Sequence, residues 1–137
     1  MKKINALILA GMLSMPIYAE KMLIETGIGV NYGGSIGANI SKPINSEIEL
    51  FVGSGIFSSN VGYTAGSRYY ISNSTRLIVN YGTNTLIGEA TFEGLNFGAD
   101  YFSTNGWAIG LMYSKVRVSN IFKQSPGKIG ISLGYRW

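Results

Sequence analysis

The chain has 137 residues, a length that suits one domain, and only 13% of them are charged, about half the share usual in soluble domains. Cys and His are both absent, which excludes disulfide staples, zinc bound through its two commonest ligands and a Ser nucleophile activated by His. A formal charge of +4 is too small to argue for a nucleic-acid partner, and the 19 glycines, at about 1 kcal/mol each inside a helix, argue for strands.

Lys2 and Lys3 precede an apolar run from Ile4 to Leu13, which Pro16-Ile17-Tyr18-Ala19 interrupts. A basic start, a short apolar centre and a small final residue make the pattern of a secretory signal peptide, and the run is shorter than the roughly 20 residues of a membrane helix. Residues 1–19 are expected to be cleaved after Ala19, leaving residues 20–137 as an exported domain, mildly basic once both lysines are gone.

From there the chain alternates with the two-residue period of a strand. Ile24, Thr26, Ile28, Val30 and Tyr32 oppose Glu25, Gly27, Gly29 and Asn31; Ile36, Ala38 and Ile40 oppose Gly37, Asn39 and Ser41. A third segment sets Ile48, Leu50, Val52 and Ile56 against Glu47, Glu49, Gly53 and Gly55, with Phe51 as an exception. The fourth sets Val61, Tyr63, Ala65, Tyr69 and Ile71 against Gly62, Thr64, Gly66 and Arg68. The fifth has Leu77, Val79 and Tyr81 against Arg76, Asn80 and Gly82, with Ile78 on the polar face. Leu95, Phe97, Ala99 and Tyr101 then oppose Asn96, Gly98 and Asp100. Trp107, Ile109, Leu111 and Tyr113 mark the seventh segment, and Ile129 to Trp137, against Lys128 to Arg136, the eighth.

Compact turn formers lie at Lys42–Ser46, Ser72–Thr75 and Ser103–Asn105, and the longer connections at 84–91 and 119–127. A membrane strand needs about 9–11 residues, so the domain has room for eight and not for sixteen. Eight is the smallest usual number for such barrels. The expected fold is therefore all-β: an eight-stranded antiparallel up-and-down transmembrane β-barrel. The apolar row carries no charge at its middle. Aromatics lie near its ends, with Tyr32, Tyr63, Tyr81 and Tyr113 at one rim and Tyr69, Tyr101, Trp107, Tyr135 and Trp137 at the other, as two membrane girdles require.

Gly130-Ile131-Ser132-Leu133-Gly134-Tyr135-Arg136-Trp137 resembles the C-terminal assembly signal of bacterial outer-membrane proteins. With the leader and the eight segments, the chain resembles small eight-stranded members of the OmpX/Ail or OmpA-barrel type. Its connections look too short for the protruding adhesive edge of OmpX/Ail proteins. The resemblance implies a monomer in the outer membrane of a Gram-negative cell, both termini in the periplasm, with the barrel-assembly machinery reading the last strand. Outer-membrane lipid and lipopolysaccharide are the implied surroundings.

On that topology Glu25, Glu47, Glu49, Arg68, Arg76, Asp100 and Arg136 point into the lower lumen. They are expected to pair, because unpaired charges are costly away from water. Around the last outer loop, Lys115, Arg117, Lys123 and Lys128 surround Phe122, a basic rim suited to lipopolysaccharide phosphates or an acidic host surface. No cofactor, metal site or enzyme activity is expected. Glu47 and Glu49 read better as ion-paired wall residues than as a catalytic pair, and no helix follows Gly27-Ile28-Gly29-Val30 to make it a phosphate loop. The expected role is envelope-structural or surface-interacting, of an adhesion or virulence type, with a plugged lumen; the alternative is a narrow ion or small-solute channel.

Overall fold

A computed structural model describes residues 22–57, 60–85, 91–118 and 128–137. The proposed signal peptide, Phe122 and Lys123 lie outside the described residues. Eight strands follow one another: β1 (Leu23–Gly29), β2 (Gly34–Pro43), β3 (Ile48–Phe57), β4 (Asn60–Tyr70), β5 (Thr75–Thr85), β6 (Thr91–Phe102), β7 (Trp107–Val118) and β8 (Lys128–Arg136). Each pairs antiparallel with its neighbour in sequence, and β8 returns to β1, so the sheet closes into an up-and-down barrel.

The register climbs as it goes round. From Thr26 it passes through Ala38, Ser54, Tyr63, Thr83 and Glu93 to Arg117. That row lies beyond the last β7–β8 pair, Ser114 with Lys128, although Thr26 itself pairs with Tyr135. A ring that fails to meet itself at the same level has staggered, tilted strands, the geometry of a closed barrel.

Short turns at one end set the hairpins. Asn45 Oδ1 accepts from the N–H groups of Glu47 and Ile48, both at 2.8 Å, and Ser103 Oγ accepts from Trp107 N at 3.2 Å. The Asn45 turn corrects one expectation. Glu47 is an exposed turn residue whose backbone serves the turn, and it does not join the luminal charges.

A second correction concerns the first strand. Gly29 and Gly33 have φ of 105° and 76°, in the left-handed region that favours glycine, and between them Val30–Tyr32 form a single 3-10 turn. The chain leaves the wall there and folds inward. Tyr32 is consequently buried rather than part of an aromatic rim, and Val30 packs on a luminal cluster of Phe51, Ile78 and Met112. Phe51 and Ile78, the two exceptions to the alternation, are the inward apolar residues of that cluster.

Candidate functional site

Alternation sends every second side chain of each strand into the barrel, and the register then sets opposite charges side by side. Glu25 pairs with Arg136, Glu49 with Arg68 and Arg76 with Asp100 across neighbouring strands. All but Arg136 are buried, and Arg136 is nearly so. Glu25 is the hub, with Arg136 at 3.0 Å, Arg76 at 3.1 Å and Arg68 at 3.4 Å. Glu49 meets Arg68 at 2.6 Å and Arg136 at 2.7 Å, and Asp100 meets Arg76 at 2.5 Å. Three carboxylates thus balance three guanidiniums, and six of the seven expected luminal charges come together.

Aromatic groups complete this layer, and the sequence reading missed them. Tyr70 donates to Glu49 and accepts from Arg136, both at 2.8 Å; it lies two residues after Arg68 and so on the same face, which was the available signal. Tyr32 donates to Glu25 at 2.7 Å. The Arg76 and Arg136 guanidiniums lie 4.8 and 5.0 Å from the Phe102 ring centre, and that of Arg68 lies 4.2 Å from Phe51, within the range of cation–π attraction.

Beside the apolar cluster, side-chain amides cross the lumen. Asn96 donates to Asn80 at 2.8 Å, Asn80 to Asn31 at 2.8 Å, and Asn31 to Ser132 at 3.1 Å. Arg68 donates to Asn39 at 3.1 Å, linking the amides to the charges. The inward turn therefore has three anchors: Val30 in the apolar cluster, Asn31 in the amide chain and Tyr32 on the Glu25 hub. Paired charges, amides and rings thus occupy the described part of the interior.

The outer wall is the opposite. Ile28, Ile36, Ile56, Leu77, Val79, Leu95, Phe97, Ile109, Leu111, Ile129 and Ile131 are all exposed. Tyr69, Tyr101, Trp107 and Trp137 are exposed near the short turns, with Tyr135 half-buried between Trp107 and Trp137 at ring distances of 5.1 Å. Tyr63, Tyr81 and Tyr113 are exposed toward the other end. At that end Tyr81 donates to Glu93, and Lys115 stands exposed two residues beyond Tyr113 on β7. Arg117 and Lys128 belong to β7 and β8. Among the described residues no group of acidic side chains is placed to hold a metal ion. The chain matches no family model, no curated protein and no solved structure.

Proposed function

We propose that this barrel is an exported, integral protein of the bacterial outer membrane, of the small eight-stranded OmpX/Ail or OmpA-barrel type, with an envelope-structural or surface-interaction role. One observation carries the reading: the polarity of the molecule is inverted. Ile129 and Leu111 are 78% and 62% exposed, whereas Arg68, Arg76 and Glu25 are 0% exposed. Soluble proteins rarely leave an apolar patch beyond a few hundred Å² in water, and this apolar surface encircles the barrel. Lipid tails are the solvent that such a wall suits, with tyrosines and tryptophans at the two interfaces.

Cell fractionation combined with heat-modifiability on gels tests location and barrel closure together. The protein is expected in the outer-membrane fraction, migrating faster unboiled than boiled. Labelling from within the bilayer should tag positions 50 and 133 and spare 49 and 68; the reverse pattern defeats the proposal. The ion-pair layer supports a closed lumen over the narrow channel, so planar-bilayer recordings should show no stable conductance steps. Ion-selective steps would move the function to the channel reading.

A further inference from the structure

On the outer wall, toward the end opposite the short turns, β5, β6 and β7 bring a cation to the aromatic level. Across the register Tyr81 faces Leu95, and Leu95 faces Lys115. All three are exposed on the outward face. The next row toward the short turns is apolar: Val79, Phe97 and Tyr113, with the Phe97 and Tyr113 rings 5.3 Å apart. The acid of this patch, Glu93, receives the hydroxyl of Tyr81, and no ion pair of Lys115 is present among the described residues. A lysine above an apolar wall extends its stem along that wall and holds its ammonium at the polar boundary.

We propose that Lys115, with the Leu95–Phe97–Tyr113 wall beside it, is a docking site for the phosphate headgroup of a membrane lipid. The inference rests on the membrane reading above. Charge complementarity selects the anionic headgroup, since Lys115 stands exposed with no acidic partner among the described residues. The adjoining apolar rows select a lipid over free phosphate, because they accept the acyl chains that follow the headgroup.

The test is to fold the full chain into phosphatidylcholine vesicles doped with phosphatidic acid, extract it in a mild non-ionic detergent, and weigh the retained lipid by native mass spectrometry. The wild-type barrel should retain phosphatidic acid over phosphatidylcholine. Lys115→Ala should lower that preference about fivefold, the worth of roughly one interfacial cation. Lys115→Arg should keep it, and Glu93→Gln should not weaken it. Equal retention by wild type and Lys115→Ala, or retention that added inorganic phosphate abolishes, overturns the site while leaving an inserted, heat-modifiable barrel. A chain that never enters the vesicles overturns the membrane reading itself and the site with it.

Discussion

Tyr32 shows how much one side chain can organise in a narrow barrel. Its hydroxyl serves the Glu25 hub, and its ring occupies space that glycines leave empty: a Cβ on Gly134 would overlap the Tyr32 hydroxyl. Tyr32→Phe should lower stability by about 1.5–3 kcal/mol, the range for a hydrogen bond to a charged group, read from urea unfolding in vesicles. Gly134→Ala should lower it by about 1–3 kcal/mol through overpacking. The double variant Tyr32→Ala/Gly134→Ala should lose less than the sum of the losses of Tyr32→Ala alone and Gly134→Ala alone, because the groups touch. Additive losses would mean that they do not meet. Asp100→Asn, which strips Arg76 of a buried partner, should be more damaging, at about 3–5 kcal/mol.

These residues also mark where sequence reasoning reached and where it stopped. Period-two alternation put Glu25, Glu49, Arg68, Arg76, Asp100 and Arg136 on the polar face of their strands, because a strand offers a side chain only two directions. The choice of a lipid-facing apolar row made that face the inward one. The periodicity failed where the strand ended. Alternation carried through Gly29 into Tyr32, and back through Ile48 into Glu47, placed both residues as if the backbone stayed extended. In fact a positive φ and an Asn45 turn had already redirected the chain. The network of Tyr70, Asn31 and the amides needed the register, which depends on strand pairing far apart in sequence.

At the scale of elements, the first hairpin differs from the others. β1 has seven residues while β6 and β7 have twelve each, and β1–β8 pairing ends at Ile28 with Leu133. The shortened strand is compensated from inside, where the Val30–Tyr32 turn ties the hairpin to β5 and β8 through Asn80 and Ser132. Gly29→Ala places a side chain at a φ of 105° and should cost about 1–3 kcal/mol, with faster hydrogen exchange in β1 and β2. Ser35→Ala, at an exposed position of β2, should stay within about 0.5 kcal/mol. Equal effects of the two would show that the turn carries no strain.

For the whole molecule, the buried position of its ion pairs has a measurable signature. Salt screens exposed charges beyond about 10 Å at 0.1 M and reaches buried pairs far less. The urea midpoint of the folded protein should therefore move little between low and high salt. A strong fall with salt would place the stabilising pairs at the surface instead. The same arrangement explains why the fold survives without disulfides: closure and the luminal lattice do the stapling.

Glu25 and Arg136, 111 positions apart in the chain, lie side by side only once the first and last strands have met. A half-built ring would hold its terminal guanidinium without the counter-ion waiting on the opening strand. A one-notch slip of β8 would turn that same arginine outward. At the final seam, correct alignment is thus the arrangement that leaves the interior electrically quiet.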